Sequence, residues 1–363
     1  MKNLLRLLLV VAGLTPNLVW CRPPKIAVPP ITQIETSDGP HVLWNGKEAT
    51  VAYVREGRVT QQKVEGSFDL LLPGIAAQPV RLSPEPKAAD PGTPNRPEKI
   101  LAVSDIHGRF DTLSRLLQAQ KVVDANLRWQ FGNGHLVVVG DVMDRGPQVT
   151  EAYWFLHALE QSARSAGGAV HMLLGNHEAM LLAGDYRYVH SKYQRPPTEF
   201  PSLGVQYGTN SELGRWLRSR PALLRLGDIL FVHGGISPET LKLNLDLDQI
   251  NDAIRQSLGL RAKDTSGTVA TLLGSAGPLW YRGLLPEGGN PQASDDHIAQ
   301  VLTQFKVKTL MVGHTTLRAL ASFHGGRIFG IDAGIKDGEP GEAMLFLDGR
   351  AWRAKADGTR EAF

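Results

Sequence analysis

Residues 100–108 read ILAVSDIHG and residues 135–146 read HLVVVGDVMDRG. Each opens as a short unbroken apolar run, the pattern of a strand buried on both faces. Each run ends in a carboxylate, Asp105 or Asp141, set among glycines. Between them Phe110, Leu113, Leu116 and Leu117 recur at helical spacing. Further along, Thr150 to Ser165 reads as a helix and AVHMLLGN (169–176) as a third strand. DILFVHGG (228–235) and KTLMVGH (308–314) read as two more, and RALASF (318–323), GRIFGID (326–332) and EAMLFLDG (342–349) as a closing set. Strands alternating with helices predict a layered α/β domain with parallel strands.

Five of these strands finish in side chains that bind metals. Asp105 and His107 follow the first, Asp141 and Asp144 the second, Asn176 and His177 the third, His233 the fourth and His314 the fifth. Open α/β sheets gather their sites at strand carboxyl ends, and glycines such as Gly175 and Gly313 let several loops converge there. The donors are oxygen and imidazole nitrogen, with no thiolate. That set suits a pair of divalent ions such as Mn, Fe or Zn rather than Ca or a purely structural zinc. Two such ions sharing a carboxylate activate water and clamp a phosphoryl oxygen. Arg145, directly after Asp144, supplies a planar guanidinium that suits phosphate.

In order along the chain, SDIHG (104–108), GDVMDRG (140–146), GNHE (175–178), VHGGI (232–236) and VGHT (312–315) resemble the calcineurin-like metallophosphoesterases. Within that family they are most similar to the phosphoprotein-phosphatase branch and its bacterial Shewanella-like members. The resemblance spans roughly residues 99–335. It implies a four-layer αββα sandwich and a metal-dependent phosphomonoester hydrolase acting through metal-bound hydroxide. Asp105, His107 and Asp141 are implied on one metal, with Asp141 bridging to a second held by Asn176, His233 and His314. It further implies His177 as the acid for the leaving group, Asp144 as its orienting partner, and Arg145 on the phosphate. A second phosphate-binding arginine is usual in the family, and Arg282 in PLWYRG (278–283) is the candidate. Thr315 and Thr316 follow His314, so the second histidine of the phosphodiesterase relatives is missing, which favours monoesters. Leu174 stands where eukaryotic-type relatives carry Arg, so a Ser/Thr preference is not implied, and a tyrosine preference is allowed. The segment 211–235 is also similar to dinucleoside tetraphosphatases, which keeps a dinucleoside polyphosphate or nucleotide hydrolase as the alternative enzyme. An inactive phosphatase-fold binding protein is the alternative of another class; the complete set of site residues argues against it.

The remaining histidines have plainer expectations: His135, His157 and His171 in the core, His41, His190, His297 and His324 on the surface or in loops. Asp111 reads as a helix-start carboxylate, and Glu178 as a brace of its loop through a charge pair.

Upstream, Lys2 and Arg6 precede LLLVVAGLTPNLVW (7–20), too short and broken for a membrane span, so 1–21 reads as an export signal and the protein as periplasmic. Cys21 offers a less favoured lipid anchor, because bulky Trp20 stands before it. Residues 22–82 read as a small β module with turns at Asn45-Gly46 and Glu56-Gly57, and the proline-rich stretch 83–98 as a linker to a catalytic domain over 99–363. Cys21 is the only cysteine, which excludes an internal disulfide and a cysteine-based zinc site. The formal charge of +3, which includes Lys2 and Arg6, is too balanced for a nucleic-acid partner. The expected partner is a phosphorylated protein or a small phosphate ester.

Overall fold

The structure, a computed structural model, describes residues 23–363 except 87, 90, 91 and 290. The export signal and Cys21 lie outside the described residues.

The apolar runs build two sheets. Counting strands along the chain, the N-terminal part supplies β1 (Lys25–Ala27), β2 (Asp38–Asn45), β3 (Glu48–Arg55), β4 (Arg58–Glu65), β5 (Phe68–Leu71) and β6 (Val80–Leu82). Then follow β7 (Lys99–Val103), β8 (His135–Val138), β9 (Ala169–Met172), β10 (Leu223–Leu226), β11 (Ile229–Val232) and β12 (Thr309–Val312). The last are β13 (Ala321–Phe323), β14 (Ile328–Gly330), β15 (Glu342–Leu347), β16 (Arg350–Lys355) and β17 (Arg360–Ala362). One sheet runs β17-β16-β15-β7-β8-β9, with β7, β8 and β9 parallel. The other runs β10-β11-β12-β14-β13, with β11, β12 and β14 parallel.

Strand alternation sorts side chains between two faces. Ile100, Ala102, Val137, Val139, Phe231 and Met311 point inward and form one apolar cluster between the sheets. Leu101, Val103, Leu136 and Val138 point outward beneath α1 (Phe110–Ala119) and α2 (Val149–Ser165), whose Leu113, Leu117, Trp154 and Phe155 complete that layer. On the other side Leu230, Val232, Leu310 and Val312 pack under the helices Leu247–Ser257 and Asp295–Phe305 through Ile250, Ile254, Ile298 and Val301. The result is a helix–sheet–sheet–helix sandwich. Burying each of these aliphatic side chains contributes about 1.5–3 kcal/mol, so three packed interfaces hold the strand ends rigidly.

The N-terminal strands make two three-stranded sheets, β1-β5-β6 and β2-β3-β4. Val42, Trp44, Phe68 and Leu70 share one core with Trp154 and Leu213. Polar ties accompany that packing. Trp154 Nε1 donates to the Pro40 carbonyl at 2.7 Å, Trp44 Nε1 to Glu212 at 2.8 Å, and Thr150 to Asp38 at 2.7 Å. The proline-rich stretch is also tied down. Thr93 bridges to Leu226 at the edge of β10, and Arg215 donates to the carbonyls of Ser83 and Pro84. Among the described residues no helix is long and apolar enough to cross a membrane.

Candidate metal centre

The strand-end loops are built from unusual backbone. Asp105, His107, Asp141, Asp144, Arg145 and His314 all have φ between 46° and 74°, a region non-glycine residues rarely occupy. Such strain is held only where surrounding structure over-determines it, and it clusters at functional sites. The glycines allow the convergence itself. A Cβ on Gly175 would lie 2.1 Å from Asp141 Oδ1, and one on Gly313 would lie 2.0 Å from Ser104 Oγ.

α3 (Asn176–Leu182) opens directly after Gly175 and carries Asn176 and His177 in its first turn. The convergence centres on Asp141. Its Oδ2 lies 3.2 Å from His233 Nε2, 3.6 Å from His107 Nε2 and 3.9 Å from His177 Nε2. Two buried groups with metal-ligand spacing result, His107–Asp141–His177 and Asp141–His233–His314, and they share Asp141. Asn176 Oδ1 lies 3.0 Å from His233 Nε2, and Asp105 Oδ1 lies 3.9 Å from His107 Nε2. All six sequence-nominated ligands are therefore gathered in one buried place.

The donor set fits divalent cations. His107 Nδ1 lies 2.6 Å from the Met143 carbonyl and His233 Nδ1 2.8 Å from the Val139 carbonyl. A ring nitrogen facing a carbonyl must carry its proton there, which leaves Nε2 as the lone-pair side of a neutral ring. Yet His233 Nε2 faces two oxygen acceptors, on Asp141 and Asn176. Acceptors facing acceptors call for a cation between them, proton or metal. The electrostatics agree. Burial, with Asp332 and Asp141 nearby, pushes Asp105 up to about 7. Burial lowers His233, but Asp141 more than reverses this and raises it to about 9. Burial brings His107 down to about 3, so this ring stays neutral and available as a ligand. His314 falls to about 2 through burial, His233 and Arg282.

His177 stands at the rim of this cluster. Its Nδ1 is 2.6 Å from Asp144 Oδ2, and its backbone N–H donates to Asp141 Oδ1 at 3.0 Å. Burial lowers its pKa, but Asp141 and Asp144 outweigh burial and the net shift is upward. Arg282 donates through Nη1 to the His314 carbonyl and comes within 3.4 Å of His314 Nδ1 through Nη2. Its pKa is lowered by burial, against the pull of Asp105 and Asp141. Arg145 is exposed, with its guanidinium carbon 5.6 Å from the centre of the Tyr188 ring.

Some expectations change. Glu178 braces its loop, but through backbone rather than a charge pair. Its carboxylate accepts the N–H groups of Asp141, Val142, Met143 and Gly175 at 2.8–3.0 Å and the Tyr153 hydroxyl at 2.9 Å. His41 and His297 are buried rather than superficial: His41 meets Asp38 at 3.1 Å, and His297 Nε2 lies 2.8 Å from the Ile236 carbonyl. Asp111 sits in the first turn of α1 and pairs with Arg109. Three contributors went unnominated. Ser104 donates to Asp105 Oδ2 at 2.6 Å. Asp332, fully buried, accepts Thr316 at 2.8 Å and Lys336 at 2.7 Å. Tyr188 lies over His177 with ring centres 5.3 Å apart. Asp332 closes the strand run GRIFGID, so the strand-end rule that found the others points to it too. No local pattern marks Tyr188.

Comparison with known proteins agrees with this geometry. Residues 98–317 match the calcineurin-like phosphoesterase family. The chain is 31% identical over 264 residues to the uncharacterized protein C1840.07c of Schizosaccharomyces pombe, covering 69% of this chain and 76% of that one. It is 29% identical over 249 residues to Shewanella-like protein phosphatase 1 of Plasmodium berghei, covering 65% and 67%. A crystal structure of a cold-active protein-tyrosine phosphatase from a psychrophilic Shewanella superposes with a TM-score of 0.81 at 34% identity, over 90% of this chain and 99% of that one. The chain belongs to the calcineurin-like phosphoesterases, in their phosphoprotein-phosphatase branch, and is a metal-dependent hydrolase of phosphate esters.

Proposed function

We propose that the protein removes phosphate from phosphotyrosine in proteins or from small aryl phosphates, using two divalent ions held by Asp105, His107, Asp141, Asn176, His233 and His314. The observation that carries this reading is Asp141, whose Oδ2 lies 3.6 Å from His107 Nε2 and 3.2 Å from His233 Nε2, so that one buried carboxylate faces ligands of both ions. The tyrosine preference draws on the likeness to the Shewanella protein-tyrosine phosphatase. A thiolate route through a cysteinyl-phosphate is closed, because the only cysteine is Cys21.

When bound, a pair of Mn, Fe or Zn ions supplies Lewis acidity toward the phosphoryl oxygens and acidifies the attacking water. The chain's own residues do the rest. Arg145 and Arg282 flank the cluster and orient the phosphate through their planar forks. His177, held through Nδ1 by Asp144, presents Nε2 toward the cluster and passes its proton to the departing oxygen. Asp144 accepts the Nδ1 proton and its charge favours the imidazolium, the form that carries on Nε2 the proton to be passed. Residues 99–363 carry this chemistry, the β module of 22–82 buttresses α2, and 83–98 joins the two. Lys2, Arg6 and the apolar run after them support export to a periplasm.

Turnover of an aryl phosphate tests the reading. Chelation should abolish it and Mn²⁺ should restore it. Asp141→Asn should be inactive, and His177→Ala should lose about 10²- to 10⁴-fold, as expected for removing a general acid. Turnover indifferent to chelation, or His177→Ala at the wild-type rate, would sink the proposal.

A further inference from the structure

We infer that Tyr188 is the platform for the leaving group's aromatic ring and so selects aryl over alkyl phosphate monoesters. This rests on the phosphatase reading above and deepens it.

Among the described residues, Tyr188 is one of five large apolar side chains left in the open, 46% exposed. Burial normally claims such rings, and an exposed aromatic beside polar groups is the usual composition of a recognition surface. Its surroundings say what it recognises. One side of the ring meets His177, with ring centres 5.3 Å apart and planes at 53°. The guanidinium carbons of Arg145 and Arg187 each lie 5.6 Å from the ring centre. Its backbone is not free to wander, since the Tyr188 carbonyl accepts the Arg145 N–H at 2.9 Å. The ring is therefore held next to the proton donor and next to a phosphate-binding arginine.

Substrate geometry follows. The leaving oxygen must come within about 3 Å of His177 Nε2 to take its proton. In an aryl ester the ring is attached directly to that oxygen. It must then lie beside His177 at about the distance where the Tyr188 ring already stands, within the 4.5–7 Å that suits aromatic pairs. A serine leaving group places only a methylene there and gains nothing from the platform. Arg187 is engaged by Asp185 through two short contacts, 2.7 and 2.9 Å. That pairing compensates the charge of the guanidinium beside the Tyr188 ring.

The test compares wild type, Tyr188→Ala and Tyr188→Phe on phenyl phosphate and phosphotyrosine peptide against a phosphoserine peptide and glycerol phosphate. A stacked pair supports roughly a 3- to 10-fold effect. Tyr188→Ala should raise KM for the aryl substrates by that factor with kcat little changed, because ring contact is made equally in the bound and transition states. Any loss on alkyl substrates should be smaller by that same factor, and Tyr188→Phe should keep the wild-type preference for aryl substrates. A second readout avoids turnover: phenylphosphonate should bind the metal-loaded Tyr188→Ala protein 3- to 10-fold more weakly than wild type, while methylphosphonate binds both equally. An equal loss on aryl and alkyl substrates, no loss at all, or a Tyr188→Phe variant matching Tyr188→Ala would overturn the inference while leaving the phosphatase reading intact. Wild-type protein inactive on every monoester would overturn the phosphatase reading, and phosphonate binding would still judge the platform.

Discussion

Replacing Glu178 by Gln changes one atom type at a buried carboxylate that accepts five hydrogen bonds. Both oxygens are saturated: Oε1 takes the N–H groups of Val142 and Met143 and the Tyr153 hydroxyl, and Oε2 takes those of Asp141 and Gly175. An amide NH₂ can only donate. Whichever way Gln sits, its nitrogen faces at least two backbone N–H donors. Placed at Oε2, it strands Asp141 and Gly175. A buried donor left without a partner costs about 1–3 kcal/mol, so two cost about 2–6 kcal/mol. Global stabilities are about 5–15 kcal/mol, so the variant should fold but with a large part of its margin gone. With a urea slope of about 3 kcal/mol/M for a chain this size, the midpoint should fall by about 0.7–2 M. Activity should fall with it, since the Asp141 backbone is held by this carboxylate and the Asp141 side chain in turn accepts the His177 N–H. We expect kcat to drop at least 10-fold under conditions where the variant is fully folded. The measurement is a urea titration of metal-loaded protein beside kcat on an aryl phosphate. A midpoint within about 0.3 M of wild type together with normal kcat would show that the brace is not what holds Asp141.

Two further predictions concern other parts of the molecule. Glu151 is pushed up to about 7 by burial, with Lys192 at 3.6 Å opposing the shift. Between its ordinary 4.5 and that value the folded chain holds a proton that the unfolded chain has released, so stability should fall as pH rises through this window. The loss is about 3 kcal/mol at most, at 1.36 kcal/mol per unit. A Glu151→Gln, Lys192→Met double variant should flatten that slope in urea titrations from pH 5 to pH 8, and an unchanged slope would assign the effect elsewhere. Gly175→Ala places a methyl 2.1 Å from Asp141 Oδ1. Displacing that carboxylate should lower metal affinity at least 10-fold, measured by Mn²⁺ titration, whereas wild-type affinity would mean the loop yields freely.

Much of the fold is legible in the sequence because both sheets are buried on two faces. Runs such as LAV and LVVV need no periodicity to be recognised, and the helices after them carry the spacing of Leu113, Leu116 and Leu117. The N-terminal strands were readable from Asn45-Gly46 and Glu56-Gly57, where Gly46 and Gly57 take positive φ. Their shared core with α2 was not. Trp44 and Trp154 look alike in sequence whether they pack on their own sheet or on a neighbour 110 residues away. The burial of His41 and His297 was equally hidden, because a histidine's surroundings come from other segments.

The same division holds at the site. The sequence by itself determined which side chains are available: each candidate ligand follows an apolar strand within a few residues, and glycine marks the loops that must bend. Strand ends are local features, so local reading finds them. Only the tertiary structure decided how they combine. Asp141 belongs to two groups because β8 lies beside β7 and β9 in one sheet while β11 and β12 bring His233 and His314 from the other. Glu178 serves four backbone N–H groups because the Asp141 loop folds over the start of α3. Tyr188 reaches His177 because its carbonyl is tied to Arg145. Those relations depend on distances between segments far apart in the chain, and such distances are set by packing rather than by neighbours in sequence.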